Sequence, residues 1–329
     1  MLGSLIFIGW AIGCLLIPPY ADRKGRKRPF LVSCFVQFFL WFLIVTVRDI
    51  NIYYVLCFVW GFLVAGRYTV GYVLLVESVP QAYQVKIGLL VDITESFSIL
   101  YATFYLKFIS KNWLYFQMLG MTSNFVGFFL CLCFVQESPR FLLANRRYEK
   151  LFFNLKKLAN YNGKLLRYNV FMDKYNNIKD QEISKALAAE DSKSVKASNS
   201  LYEGVKKDKI MRFNLLIMLY AWCATSVSFY INGLMLKYVK GDMYLNVFGS
   251  IMAEVVALLI AGALSVNFGL KLSIVSSYAV AFAGALLLFV FQSIESMIPV
   301  FLILLRFGLG SSFGVIYLAN IIFPVEYAT

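Results

Sequence analysis

The sequence predicts an all-α integral membrane protein, a bundle of about nine transmembrane helices. Three observations carry that expectation. The 329 residues are 60% hydrophobic and only 15% charged, where a soluble domain carries about 25% charged residues. The apolar residues run in long blocks, each close to the roughly 20 residues that cross a bilayer core. The basic residues gather in two places between those blocks. A soluble enzyme, a disordered chain and a nucleic-acid-binding domain are excluded as main readings, despite the net charge of +13.

The blocks follow in order. The first covers residues 3–19. It lacks a basic leader and a small-residue cleavage site, so it reads as a span and not as a signal peptide. Further blocks lie at 30–47, 52–76, 87–109 and 113–135. Residues 136–211 are polar and rich in Lys, Asn and Ser. Spans resume at 212–235, 243–266, 272–292 and 298–322. The expected organisation is therefore a five-span bundle over 1–135, an inter-half loop over 136–211 and a four-span bundle over 212–329. Within the loop, Arg146–Leu158 carries a helical apolar period. Its basic runs suit an amphipathic helix against an anionic leaflet.

Charge sets the expected orientation. Arg23, Lys24, Arg26, Lys27 and Arg28 occupy the first loop, and 136–212 holds 17 Lys/Arg against 9 Asp/Glu. Positive-inside reasoning places both loops in the cytoplasm. The two assignments agree, since four spans separate them. Residues 48–51 are then extracellular, with Lys107, Lys111, Lys237 and Lys240 outside against the trend. Met1 would also fall outside with no export signal, so a further helix is expected before it.

Several chemistries are excluded. No histidine is present, which removes histidine relays, triads and histidine zinc sites. The six cysteines lie in apolar blocks without metal-ligand spacing, so neither a metal nor a cofactor is expected. The Walker pattern is absent, which argues against ATP-driven transport.

The chain also echoes itself. The first span leads into Ala21–Lys27 and the seventh into Val266–Lys271, with Gly25 and Gly269 in matching places. The third span ends in V-E-S at Glu77 and the ninth in P-V-E at Glu326. Two parallel halves are a transporter signature, with the substrate expected near the midplane.

The motifs then become specific. Asp22–Arg28 (D-R-K-G-R-K-R) resembles the cytoplasmic loop motif of the major facilitator superfamily. Glu137–Leu143 (E-S-P-R-F-L-L) resembles the P-E-S-P-R-W-L motif of its sugar and organic-ion branches. Asn112–Met118, Trp222 with Ser228–Leu234, M-Y-L-N with Glu254, and Phe323–Thr329 resemble its sixth, seventh and eighth helices and the stretch after its tenth. Together they resemble the organic cation/anion transporter branch over nearly the whole chain. The resemblance implies a two-half helical bundle, incomplete, corresponding to family helices two to ten. It also shows departures: Pro18, Gln136, Val266, Asn267 and Leu270 stand where the motifs carry other residues. The Q-Q-x-x-G-I-N signature of sugar porters is missing from the seventh-helix region.

The resemblance implies that Asp22, Arg26, Glu137 and Arg140 form a cytoplasmic gate network. Charges inside spans form a second set, because centring one in a bilayer costs roughly 2.5–3.5 kcal/mol. These are Arg67, Asp92, Glu95, Glu254 and Arg306. Pairing among them and binding of an ionic substrate both remain open. Aromatic faces attract organic cations, and Tyr68, Tyr72, Trp222, Phe229 and Tyr230 align with or flank cavity positions of the branch. The expected substrate site is Tyr68, Tyr72, Asp92, Glu95, Trp222, Tyr230 and Glu254.

The expected function is a secondary transporter or facilitator of small organic ions, cations favoured, working by alternating access. Its partners are the substrate ion, the lipid bilayer and a coupling ion left open, with no nucleic acid. The expected location is the plasma membrane. A truncated or non-transporting relative and a sugar-porter-like transporter are the alternatives.

Overall fold

The computed structural model describes residues 2–188, 209–239, 242–291, 293–294 and 297–326. No strand occurs among them. Helix α1 (Leu2–Lys24) is followed by α2 (Lys27–Thr46). Helices α3 (Ile50–Val64) and α4 (Gly71–Glu77) form one continuous span through a π-helical segment, Ala65–Val70. Helix α5 (Gln81–Phe104) runs into a second π-helical segment, Tyr105–Ile109. Then come α6 (Trp113–Phe134), α7 (Pro139–Ala144), α8 (Tyr148–Tyr161) and α9 (Leu165–Ala188). The chain ends with α10 (Lys209–Met235), α11 (Met243–Phe268), α12 (Leu270–Val290) and α13 (Ile298–Glu326).

Among the described residues, nine helices are long and apolar enough to cross a membrane, and each overlaps one predicted span. The main difference is at α1, which continues through Pro18 and Pro19 to Lys24. Proline in a helix interior removes a backbone hydrogen bond and crowds the preceding turn, and membrane spans tolerate it where neighbouring groups satisfy the freed carbonyls. The spans are apolar on all sides. Phe7, Leu15, Phe42, Phe108, Phe134 and Phe289 are each about half exposed or more, as lipid-facing side chains of a bilayer protein are. All six cysteines are free thiols.

The chain divides into two compact units: Met1–Ser78 with Met121–Gly204, and Val79–Gly120 with Val205–Thr329. These do not follow chain order at 135/136, because α5 packs with the later spans.

In the first unit, close backbone approach holds α1 to α3. A Cβ on Gly9 would collide with the carbonyl of Phe58, one on Gly13 with that of Phe62, and one on Gly61 with that of Ile6. Gly9 and Gly13 are four apart and share a face, the small-residue spacing that lets membrane helices touch. Gln37 of α2 is fully buried and donates to the carbonyl of Trp60 at 3.3 Å. Phe35 and Phe38 pack on Phe128 and Phe125 of α6 with ring centroids 5.5 and 5.2 Å apart. Beyond the spans, Phe141, Leu142 and Leu151 form a small core between α7 and α8. The amphipathic pattern over Arg146–Leu158 thus does form a helix.

In the second unit, α13 is the centre. Its Gly308 lies against the backbone of Ala281 in α12, and its Gly310 and Gly314 lie against Glu254 and Leu258 in α11. Gly262 of α11 receives Leu89 of α5. The glycines of the sequence echo share a backbone state: Gly25 has φ +113° and Gly269 φ +84°. Both sit at the short turn between two spans, where only glycine adopts that geometry without strain.

Candidate substrate site and charge network

Two polar clusters interrupt this apolar architecture, one in each unit. The first lies where α1 turns into α2. Gly25 bonds back to the carbonyl of Ala21 at 2.9 Å and reverses the chain. The reversal leaves the first N–H groups of α2 without helical partners. The carboxylate of Glu137 fills that gap. Its Oε1 accepts from the backbone N–H of Arg26 at 2.8 Å and of Lys27 at 3.1 Å. An anion at a helix N-terminus is favoured by both the free donors and the helix dipole. A Cβ on Gly25 would stand 2.5 Å from Glu137 Oε2, so the glycine is required by space as well as by φ.

The side chain of Arg26 completes the cluster. It donates to Asp22 at 3.2 Å and forms an ion pair with Glu77. Glu77 also accepts from Ser138 Oγ at 2.5 Å, and Ser138 Oγ in turn accepts from the N–H of Phe141 at 3.2 Å to cap α7. Three of the four expected gate residues, Asp22, Arg26 and Glu137, therefore meet. Arg140 does not join them; it is exposed and has no polar partner among the described residues. Glu77 and Ser138 also belong to this cluster, and the sequence reading did not include them. The V-E-S echo pointed at Glu77, but nothing in sequence tied it to Arg26.

The second cluster lies mid-span among α5, α10, α11 and α13. Glu254 and Arg306 are both buried. Arg306 donates to Glu254 Oε2 through Nε at 2.9 Å and through a terminal nitrogen at 2.7 Å. Glu254 Oε1 accepts from Ser96 Oγ of α5 at 2.9 Å. Arg306 also donates to the carbonyl of Phe229 at 3.1 Å and lies 3.7 Å from the centroid of that ring. Every charged group of the pair is thus satisfied, as a buried pair must be to offset its desolvation.

Aromatics extend from this pair. Phe229 stacks on Phe313 at 5.0 Å, and Trp222 meets Phe313 edge-on at 5.5 Å. Tyr230 is 43% exposed and packs edge-on against Phe229. On α5, Asp92 is 7% exposed and its Oδ1 has no hydrogen-bond partner among the described residues. Glu95, three residues on, is exposed. On α10, Asn232 is 3% exposed, and neither its amide nitrogen nor its oxygen has such a partner. Asn232 was not anticipated, because an amide inside an apolar block gives no signal of its surroundings.

Five of the seven expected substrate residues belong to this second unit: Asp92, Glu95, Trp222, Tyr230 and Glu254. Tyr68 and Tyr72 belong to the first. Tyr68 rides on the π-helical segment with Arg67 and meets Trp10 edge-on at 6.0 Å. A π-helical turn inside an α-helical span is rare and often marks a functional place.

The π-helical segment that follows α5 carries one more polar contact. Lys107 donates to Asp242 at 2.7 Å. Asp242 also caps α11 by accepting from the N–H of Tyr244 at 2.8 Å. The Lys107 bond, with the backbone N–H groups of Tyr244 and Leu245, holds the Asp242 carboxyl below its ordinary range against an opposing desolvation.

Comparison with known proteins agrees with this architecture. A family model described as sugar (and other) transporter matches residues 1–236. Solute carrier family 22 member 2 of Mus musculus is 26% identical over 253 residues, covering 76% of this chain and 42% of that protein. Organic cation/carnitine transporter 2 of Homo sapiens is 25% identical over 321 residues, covering 95% of this chain and 54% of that protein. The chain spans about half the length of these relatives. A partially occluded, inward-open structure of the xylose transporter XylE from E. coli superposes with a TM-score of 0.65 at 14% identity, covering 97% of this chain and 75% of that one. With most of its length matched by the family model, the chain belongs to the sugar (and other) transporter family.

Proposed function

We propose that the protein is a secondary transporter or facilitator of small organic ions, with cations preferred, and that it works by alternating access. The observation that carries the cation preference is Asp92, a buried mid-span carboxylate with an oxygen left unpartnered. A buried carboxylate without a partner is costly, and a ligand ammonium is the group that would relieve it. Arg306 is taken up by Glu254, and Asp92 is a further buried acid beyond that pair. Trp222 and Tyr230 add ring faces, each worth about 0.5–2 kcal/mol toward a cation. The name of the human relative, an organic cation/carnitine transporter, points the same way.

A sugar is the second reading. It is favoured by Asn232, whose buried amide offers both a donor and an acceptor, the pairing that a hydroxyl uses. We place the protein in the plasma membrane with 136–211 in the cytoplasm, and assign the Asp22, Arg26, Glu77 and Glu137 cluster to the inner gate. The test is uptake by cells expressing the protein of a quaternary ammonium compound, a carboxylate of similar size and a pentose. The proposal expects the cation to be favoured; preference for the carboxylate overturns it, and preference for the pentose selects the second reading.

A further inference from the structure

A separate feature of the first unit concerns lipid and does not depend on the transported substrate. We propose that a cavity at the inner ends of α1, α2 and α6, walled by α8, binds a multiply phosphorylated headgroup. The cavity measures about 880 Å³, within the range of small-molecule sites. Lys24, Lys27, Arg28, Arg147, Lys150 and Lys157 all line it. None of the six forms an ion pair among the described residues, whereas Arg26 beside them pairs with two acids. Of the two acids on the wall, Glu137 is already engaged by the backbone of α2, and Glu149 stands alone against six cations.

Positive-inside topology requires basic residues in these loops, but not their convergence on one cavity from separate segments. Convergence of unpaired cations lowers the free energy of an anion with several clustered charges far more than that of a singly charged one. The helix ends also fix the depth. Lys24 ends one span and Lys27 begins the next. Gln136, on the wall, follows the last residue of α6 by two positions. The cavity therefore opens at the level of lipid headgroups. Phe153, also on its wall, is 69% exposed, as suits a side chain at the acyl boundary. Clustered phosphate monoesters are the recognised chemistry, and a phosphoinositide is the source that this depth favours.

The test uses the purified chain in detergent and three probes: short-chain phosphatidylinositol bisphosphate, short-chain phosphatidylserine and free inositol trisphosphate. Lys150→Gln with Lys157→Gln removes two lining cations. Lys156→Gln removes one from the same helix without touching the cavity. We expect the bisphosphate lipid to bind more tightly than the serine lipid. The lining pair should weaken it about tenfold or more, equivalent to about 1.4 kcal/mol or more. Lys156→Gln should change binding by less than about twofold, with melting temperatures unchanged in both variants. Loss of binding in simple proportion to charge removed, including from Lys156, overturns the site in favour of a diffuse field. Absence of binding by all three probes overturns it outright. Inositol trisphosphate binding as tightly as the lipid supports the cavity and overturns its assignment to a membrane source.

Discussion

At the residue scale, single side chains separate holding the fold from handling the substrate. Glu254 and Arg306 hold each other, and removing one partner strands the other in a low-dielectric interior. Glu254→Gln should therefore cost about 3–5 kcal/mol, visible as a lower melting temperature in detergent. Adding Arg306→Met should restore most of that loss; failure to do so would mean that the pair is not the reason. Gly25 makes a second case. Gly25→Ala places a methyl against Glu137 and forces a positive φ on an L-residue. The variant should lose the cap on α2 and melt lower, whereas Gly269→Ala meets open space and should pay only for its backbone. Asp22 is different again, since it is exposed and bonds only Arg26. Asp22→Asn should insert and melt as the parent does. If the cluster is the inner gate, it should slow substrate cycling; parental uptake would make Asp22 a plain loop charge.

At the element scale, helix packing explains which parts of the site were legible. Spans are a one-dimensional property, readable as runs of apolar residues, and all nine appeared where expected. Pairings are not. Glu254 and Arg306 are 52 residues apart, and their meeting depends on Gly310 letting α13 approach α11. Asp92 and Glu95 are three residues apart on α5, yet packing buries one and exposes the other. The π-helical segment at Ala65–Val70, which carries Arg67 and Tyr68, has no sequence signature. The same packing fixes the contact of Lys107, just after α5, with Asp242 at the start of α11. Asp242 has a lowered carboxyl pKa in the folded protein. Its contribution is therefore present above the ordinary carboxylate value of about 3.9 and lost as pH falls through the lower folded value. The contact should be indifferent to pH between about 5 and 8, across which a paired carboxylate does not titrate. Asp242→Asn should lower the melting temperature by the same amount at every pH in that window; a loss that changes within it would contradict the assignment.

At the scale of the whole molecule, the charge distribution predicts orientation. A cysteine introduced at Asn177 should resist impermeant reagents in intact cells and react after permeabilisation. Labelling from outside would reverse the topology and remove the headgroup cavity from the inner leaflet. The central claim joins that frame to one carboxylate: Asp92 receives the cation, while Glu254 and Arg306 only shape the site. Uptake of a quaternary ammonium compound by two variants tests it most directly. Asp92→Asn should insert normally yet lose about tenfold or more in uptake, equivalent to about 1.4 kcal/mol of lost attraction between carboxylate and cation. The neutral double variant Glu254→Gln with Arg306→Met should retain uptake within about threefold. Full uptake by Asp92→Asn, or its loss only in the double variant, would contradict the account and move the recognising acid to Glu254.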